Sequence, residues 1–266
     1  VMLLAFHVIA SCVYVLHRIR SGRGFDVVQF HDVDLPFGRL AYVHFCNRAY
    51  RALPVSSANH WAPCRIADRL EHLVRSLLEP WTFKRVEHIV VPSTGLAEEI
   101  VEHFGRDVAQ KVTVIPNFVD APAYRRPPEF DRDERRRSFD FGPDDLVLVF
   151  VALGHYERKG LPVLLSALAE LQQPRVKLLV VGGTTGRIAE FGQRAERLGS
   201  GDSVTFVPTV ADVRPLLWIS DAFVFPSAYE TFSLVAYEAA AAGLPLLVTP
   251  VHGVIDILDD GVNGWL

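Results

Sequence analysis

The sequence predicts an α/β protein that contains two parallel β-sheets covered by helices. Three observations support this fold class. Short apolar runs alternate with longer helical patterns, which is typical of parallel strands connected by helices. Residues 121–145 interrupt that alternation with a segment rich in Pro, Arg and Asp. The chain of 266 residues, 50% of them hydrophobic, is also long enough for two modest cores.

The first half of the chain contains four predicted strands and three predicted helices. Val1–Leu16 predicts a buried helix that leads into the first strand. Apolar residues recur at helical spacing from Ile66 to Leu78, and the charges on the other face are mixed. We therefore expect this helix, Arg65–Glu79, to pack on the core rather than on a membrane. The third helix runs from an N-cap at Ser93 to Gly105. The predicted strands are 25–30, 40–45, 89–91 and 112–115.

The second half repeats the alternation, with strands apolar enough to be buried on both faces. The composition shift marks a linker over residues 122–145, between an N-terminal domain of residues 1–121 and a C-terminal domain of residues 146–266. The predicted strands are 146–151, 176–181, 204–207, 222–225 and 245–249. Predicted helices lie at 161–171 and 213–219, a further helix ends at Leu198, and an Ala-rich helix is stopped by Gly243.

Composition excludes several classes of protein. A net charge of −4 and a pI near 6.2 give no electrostatic basis for binding nucleic acid. Cys12, Cys46 and Cys64 are too scattered for a disulfide framework or a zinc site. Val1–Leu16 is shorter than the roughly 20 apolar residues that span a bilayer. We expect a cytoplasmic protein, and peripheral contact with the inner face of a membrane is a further expectation.

Pro226–Pro250 is the most informative segment of the sequence. Glu230 and Glu238 stand in it with seven residues between them, in surroundings that are otherwise nearly uncharged. A strand, a loop, an Ala-rich helix and another strand follow in that order. A helix that begins after such a loop presents unpaired N–H groups and partial positive charge to an anion. Two carboxylates beside it suit sugar hydroxyls, whereas a capping Glu and a surface Glu are the alternative interpretation.

These residues resemble the donor signature of the family-four nucleotide-sugar glycosyltransferases. That signature is two glutamates with seven residues between, a helix of small residues and Gly-x-Pro, here Gly243-Leu244-Pro245. Gly253 and Asp260–Gly264 match the next landmarks of the family. The resemblance implies a GT-B fold of two Rossmann-like domains that face a cleft, and a retaining enzyme. It also implies that the chain is truncated at both ends.

The resemblance implies a role for each matching residue. Glu238 would hold the donor ribose, Glu230 the hydroxyls of the sugar, and Lys159 would neutralise the departing diphosphate. Phe232 and Ser233 would supply backbone N–H groups. The predicted catalytic residues are His44, Lys159 and Glu230. The predicted donor-binding residues are Gly154, Arg158, Lys159, Glu230, Thr231, Phe232, Ser233, Leu234 and Glu238.

Gly154–Gly160 follows the first strand of the second domain and contains the expected cations. Lys159-Gly160 matches a Lys-Gly pair of the family, but His155 stands where an Arg is usual. That second cation is therefore either weakened or supplied by Arg158, and a solvated Arg-Lys turn is the alternative. Gly182–Gly186 lacks the G-x-G-x-x-G spacing of a dinucleotide site, so it predicts no more than a tight turn near the nucleotide.

His44 follows the second predicted strand, where the family often has a histidine that faces the transferred sugar. The alternative is a partly buried structural histidine. Asp32-Val33-Asp34 and Asp131-Arg132-Asp133 have the D-x-D spacing of metal-binding carboxylates, but such triplets often arise by chance. Because Lys159 and a helix N-terminus can stabilise the diphosphate, we expect no metal and no cofactor.

The sequence therefore predicts transfer of a sugar from a nucleoside diphosphate to an acceptor hydroxyl, with retention of anomeric configuration. The expected partners are a nucleotide-sugar donor and a glycan or lipid-linked acceptor, not nucleic acid. Two alternatives stay open. One is a non-hydrolysing sugar-nucleotide epimerase on the same fold, and the other is a remnant that binds a nucleotide sugar without transferring it.

Overall fold

The structure is a computed structural model that describes residues 2–22, 25–33, 38–53 and 63–266. The chain divides into two compact units, Val1–Pro116 and Asn117–Leu266. Each unit contains one parallel sheet, as the sequence predicts. No helix in the described ranges combines the length and the hydropathy that crossing a bilayer requires.

The first unit is built on a four-stranded sheet in the order β1-β2-β3-β4, with every pair parallel. Ser93 caps its fourth helix, since its Oγ accepts from the Leu96 backbone N–H at 3.2 Å, and Gly105 ends that helix as predicted. The strands are β1 (Gln29–His31), β2 (Leu40–Tyr42), β3 (His88–Val91) and β4 (Val112–Val114). The helices are α1 (Met2–Ser21), α2 (Asn47–Ala52), α3 (Pro63–Arg85), α4 (Thr94–Phe104) and α5 (Arg106–Ala109).

The prediction that the first helix is buried is wrong. Val8, Ile9, Val13 and Ile19 are all exposed on α1. At about 100° per residue these four positions fall within an arc of about 140°, so they lie on one side of the helix. The apolar run predicted the helix, but it could not reveal that this side of it stays exposed.

Helix α3 turns a largely polar face toward the protein. Glu79 is fully buried, and its carboxylate accepts hydrogen bonds from the Asn47 backbone N–H at 2.6 Å and the Arg48 backbone N–H at 3.0 Å. The Asn47 side-chain amide adds a third bond at 2.8 Å, and His72 Nδ1 lies 2.7 Å from Asn47 Oδ1. Ser76 is buried on the same side. Glu79 thus caps the start of α2, which has no side-chain cap of its own.

The apolar stripe of α3 faces away from the protein, so the prediction that it packs on the core is wrong. Leu70 is 60% exposed and Leu77 68% exposed. The periodicity located the helix, but it could not reveal that the buried side is fixed by hydrogen bonds to α2. The exposed residues are Ile66, Leu70, Val74, Leu77, Leu78 and Trp81.

The second unit is built on a six-stranded parallel sheet in the order β10-β9-β8-β5-β6-β7. Strands β5 to β8 occupy the predicted ranges. The strands are β5 (Leu146–Val151), β6 (Val176–Val181), β7 (Val204–Val207), β8 (Ala222–Phe225), β9 (Leu246–Val248) and β10 (Gly264–Trp265). The helices are α6 (Ala121–Tyr124), α7 (Arg132–Arg137), α8 (Leu161–Leu171), α9 (Thr185–Leu198), α10 (Arg214–Trp218) and α11 (Leu234–Ala241).

The predicted linker, residues 122–145, lies within the second unit. Arg132 and Arg136 of α7 both form ion pairs with Asp221, which precedes β8. The Asp221 carboxylate also accepts the Val147 backbone N–H at 2.7 Å. Asp131, from one D-x-D triplet, caps α7 by accepting the Glu134 N–H at 2.8 Å. These contacts attach the segment to the start of β5 and β8.

Candidate functional site

The order of the second sheet determines where a ligand can bind. Strands β6 and β7 lie on one side of β5, whereas β8 and β9 lie on the other. The order in which strands are added across the sheet therefore reverses between β5 and β8. In open parallel sheets, ligands bind at the carboxyl ends of the strands at such a switch point. The loops that follow β5 and β8 are the segments that carry the predicted donor-binding residues.

These two loops are in direct backbone contact. Gly160 has φ +86°, and a Cβ added there would lie 2.1 Å from the Pro226 carbonyl oxygen. The Ala228 N–H donates to the Arg158 carbonyl at 2.8 Å, which joins the loops a second time. Glycine at position 160 therefore allows the close approach that brings both sets of predicted side chains together.

Glu230 and Lys159 form the centre of the site. The Lys159 ammonium donates to Glu230 Oε1 at 2.9 Å, and Arg158 lies 3.3 Å from the same oxygen. The Ser227 hydroxyl donates to it at 3.1 Å. Glu230 is only 9% exposed, so its charge is held by these partners rather than by water. One carboxylate with two cations leaves this group of three side chains with one surplus positive charge.

Burial has the largest effect on the pKa of Lys159. Desolvation lowers its pKa below the ordinary value, and the charge of Glu230 partly opposes that shift. Its Nζ also lies 4.8 Å from the centre of the Phe225 ring at the end of β8. The ammonium is thus positioned by a carboxylate and an aromatic ring.

The start of α11 is the second part of the site. Ser233 precedes the helix with φ +61° and gives it no side-chain cap. The Ser233 hydroxyl is buried and has no hydrogen-bond partner among the described residues. A buried, unpaired hydroxyl beside the free N–H groups of a helix start is costly unless a ligand completes it. The most suitable ligand is an anion.

The backbone before α11 is held in place by packing. Phe232 is buried and stacks on Tyr237 with 4.3 Å between ring centres. The Tyr237 hydroxyl donates to the Gly253 carbonyl at 2.8 Å, and a Cβ at Gly253 would lie 2.5 Å from Phe232 Cα. Gly253, noted in the sequence only as a landmark, therefore supports the loop that presents Ser233.

Glu238 lies half-buried in the second turn of α11, near α6. Burial raises the pKa of Tyr124 to about 12, and a hydrogen bond to the Glu238 carboxylate adds to that shift. The Trp218 indole N–H donates to the Tyr124 carbonyl at 2.7 Å, which fixes α6 beside this carboxylate. Sequence patterns gave no signal for Tyr124, because its relation to Glu238 exists only in the folded unit.

The remaining predicted donor-binding residues lie in the same two loops or at the first position of α11. Gly154 faces open space, while Thr231 is half-buried and Leu234 is exposed. Ser227 was missed by the sequence analysis, although it lies beside Pro226 at the end of β8. The sequence does place the Ser227 hydroxyl close to the end of a predicted strand, and that position could have identified it.

His44 lies in the first unit, after β2. Its backbone N–H donates to Asp32 Oδ1 at 2.8 Å, and its ring stacks on Tyr42 and His31 with centre distances of 4.6 and 5.5 Å. Burial lowers the pKa of His44, against the opposing charge of Asp32. The imidazole is therefore mainly neutral at pH 7 and able to accept a proton.

Within the described ranges, no cluster of three or more His, Cys, Asp or Glu side chains is arranged to hold a metal ion. Asp34, the second carboxylate of the other D-x-D triplet, lies outside those ranges. The absence of a metal and of a cofactor stays a prediction.

Family models match both halves of the chain. The model described as Glycosyltransferase Family 4 matches residues 4–122, and that described as Glycosyl transferases group 1 matches residues 145–266. A D-inositol 3-phosphate glycosyltransferase 2 from Catenulispora acidiphila is 33% identical over 77% of this chain and 50% of the relative. A D-inositol 3-phosphate glycosyltransferase from Segniliparus rotundus is 34% identical over 75% and 45%. The chain spans about half the length of these curated relatives.

Solved structures agree with this match at the level of the fold. WaaG, a glycosyltransferase involved in lipopolysaccharide biosynthesis, superposes with a TM-score of 0.71 and 22% identity over 95% of this chain and 66% of its own. HepE from Anabaena, solved in complex with UDP, gives 0.64 and 23% over 85% and 57%. These similarities confirm the predicted GT-B fold.

Proposed function

The chain belongs to the group 1, family 4 glycosyltransferases, and from this premise we propose that it takes part in transferring a sugar from a nucleoside diphosphate to an acceptor hydroxyl, with retention at the anomeric carbon. The observation that supports the proposal most is the buried Lys159–Glu230 pair. It lies at the switch point of the sheet, beside an α11 start that lacks a cap.

In this proposal the diphosphate binds at the start of α11. The free N–H groups there and the unpaired Ser233 hydroxyl would donate hydrogen bonds to its oxygens, while Lys159 and Arg158 would balance its charge. As the bond from the anomeric carbon to the phosphate oxygen breaks, negative charge grows on the diphosphate. Fixed N–H groups and an ammonium stabilise that charge in the transition state, without a metal ion.

We assign the donor sugar to Glu230 and the ribose to Glu238. Glu230 holds two cations and a hydroxyl through the same oxygen, Oε1, so its position is fixed before any substrate arrives. Glu238 is held beside Tyr124. HepE has been solved with UDP-glucose, which supports a donor of this class for the present fold.

Retention does not require a protein nucleophile in this proposal. The acceptor oxygen forms its bond to the anomeric carbon on the face from which the diphosphate leaves, and the acceptor proton passes to an oxygen of the leaving phosphate. His44 of the first unit keeps the role that the family resemblance implies, a histidine that faces the transferred sugar, and that role stays a prediction.

The direct test is to incubate the protein with labelled nucleotide sugars and candidate acceptors, with and without EDTA. We expect nucleoside diphosphate release coupled to a glycosylated product with the anomeric configuration of the donor, unchanged by EDTA. An inverted product would contradict retention, and activity restored only by Mn²⁺ would contradict a metal-free mechanism. Epimerised nucleotide sugar without product would favour the epimerase alternative, and binding without turnover would favour the remnant.

The two glutamates are expected to separate in binding experiments. Because free nucleoside diphosphate contains the ribose but no sugar, Glu238→Gln should weaken its binding while Glu230→Gln leaves it nearly intact. Losing a hydrogen bond with a charged partner costs about 1.5–3 kcal/mol, which is roughly ten- to more than a hundredfold in affinity. Calorimetric titration of each variant with the nucleoside diphosphate measures this difference.

Glu190→Gln is the matched control for both variants. Glu190 lies on the surface of α9, where its carboxylate pairs with Arg187 and is 56% exposed. That substitution should leave affinity and turnover unchanged. Equal losses of diphosphate affinity for Glu230→Gln and Glu238→Gln would refute the division of roles, and no loss for either would refute the donor site.

A further inference from the structure

Asp32, in the turn that follows β1, joins that turn to the end of β2. Its backbone N–H donates to the Tyr42 carbonyl at 2.9 Å, and its Oδ1 accepts the His44 backbone N–H at 2.8 Å. Its φ of +49° lies in the left-handed region, which aspartate enters more readily than most residues with a side chain. The turn therefore directs the carboxylate at the segment that carries His44.

Helix α3 supplies a counter-charge for this carboxylate. The Arg75 guanidinium lies 3.7 Å from Asp32 Oδ2, and its Nε donates to the Glu71 carboxylate at 3.1 Å. The side chains of Arg75 and Asp32 are only 14% and 21% exposed, so salt screens this pair less than it screens a surface pair. One oxygen of Asp32 thus holds the His44 segment while the other faces α3.

The His44 ring lies in a group of aromatic side chains that the same turn helps to place. It stacks on Tyr42, whose hydroxyl donates to the Ile115 carbonyl at 3.1 Å. It also stacks on His31, the residue that directly precedes Asp32. The rings on both sides of the imidazole are therefore attached to the sheet, and one of them moves with the Asp32 turn.

Charges of both signs act on the imidazole. Burial lowers the pKa of His44, the negative charge of Asp32 opposes that shift, and His31 adds to it. Arg75 lies behind Asp32 and balances part of its charge. Removing the charge of either Asp32 or Arg75 therefore acts on His44 without altering its own side chain.

We propose that Asp32 is a positioning residue for His44, which holds the segment after β2 in place and supplies a negative charge beside the imidazole. Arg75 is the second member of this arrangement, because it faces the carboxylate from α3. The proposal rests on the proposed function, in which His44 faces the transferred sugar. A turn residue with a purely structural role would stabilise the unit but would not control the charge of the imidazole.

The first test is an NMR titration of the His44 imidazole in the 266-residue chain, with His44→Gln used to assign its signal. Asp32→Asn keeps an oxygen that can accept the His44 N–H and tolerates the left-handed conformation, but it removes the charge. We expect the pKa of His44 to fall in this variant, because the charge that raises it is gone. Arg75→Gln should shift the pKa in the opposite direction, because it leaves the Asp32 charge unbalanced.

The second test is the pH profile of nucleotide-sugar turnover. Asp32→Gly permits the same backbone conformation but removes the hydrogen bond to His44. It should lower kcat by up to about 10²-fold, the effect of misplacing a group by about 1 Å, with the KM of the nucleotide sugar nearly unchanged. Asp32→Asn should restore most of that loss. The acidic limb of its profile should move to lower pH, because the imidazole then stays neutral to lower pH.

Glu87→Gln is the matched control. Glu87 is an exposed carboxylate of the same unit and pairs with Arg39. This variant should change neither the titration of His44 nor kcat, and circular dichroism with the melting temperature checks that each variant is folded.

An unchanged pKa of His44 in Asp32→Asn, or an equal change in Glu87→Gln, would overturn the proposal. A kcat of Asp32→Gly equal to that of the unaltered chain would also overturn it. If the unaltered chain transferred no sugar, the proposed function would fail instead. The NMR titration would then still decide whether Asp32 and Arg75 control the charge at His44.

Discussion

Replacing Lys159 with Ala is expected to lower kcat about 10²–10³-fold, the usual effect of removing one donor that stabilises transition-state charge. Lys159 is the cation that lies closest to Glu230 Oε1, at 2.9 Å. In the proposed mechanism its loss removes charge that stabilises the leaving diphosphate, and Glu230 keeps Arg158 and Ser227 as partners. Turnover of the nucleotide sugar, measured with diphosphate affinity and melting temperature, separates the loss of catalysis from a loss of fold.

Lys177→Ala provides the control for this experiment. Lys177 lies on β6, where its ammonium donates to the Asp202 carbonyl at 3.1 Å. Its removal should change kcat less than twofold. If Lys159→Ala kept a kcat close to that of the unaltered protein, Lys159 would not carry the charge stabilisation that the mechanism requires.

Replacing Gly160 with Ala is expected to destabilise the second unit by about 2–5 kcal/mol. The left-handed conformation costs a non-glycine residue roughly 1–2 kcal/mol, and forcing extra atoms into a packed site adds about 1–3 kcal/mol. The added Cβ would lie 2.1 Å from the Pro226 carbonyl oxygen, so the two loops must separate. Urea denaturation and nucleoside diphosphate titration should show both a lower stability and weaker binding.

Gly192→Ala is the matched control for the Gly160 variant. Gly192 lies inside α9, and an added Cβ there meets nothing within 4 Å. That substitution should raise the free energy of unfolding by about 0.5–1 kcal/mol, because alanine is more favourable than glycine inside a helix. A Gly160→Ala protein as stable as the Gly192→Ala protein would show that the loops do not need their close contact.

The sequence was most predictive for the second unit. Strands such as Leu146–Val151 are continuous apolar runs, because both faces of a central parallel strand are buried. In the first unit, the helical spacing of apolar residues in α3 predicted that its apolar side faces the core, and this was wrong. Glu79 is buried there by its bonds to the start of α2, and hydrophobic pattern contains no information about such a partner.

The prediction of the candidate site depended more on the family resemblance than on the spacing of residues in the sequence. Lys159 and Glu230 are 71 residues apart, and the close contact at Gly160 that brings their loops together is a property of the folded sheet. The free hydroxyl of Ser233 and the contact between Tyr124 and Glu238 were also invisible in the sequence. The assigned roles of these residues stay predictions.

The strand order also affects when the donor site can form during folding. Strand β5 is joined to the start of β8 through Val147 and Asp221, which are 74 residues apart. Contacts over such separations close large loops and slow folding. During synthesis, Lys159 leaves the ribosome well before its carboxylate partner exists. The proposed nucleotide site is therefore complete only after β5 and β8 have joined the sheet, so we expect a ligand added to a refolding chain to stabilise a late step rather than guide the first.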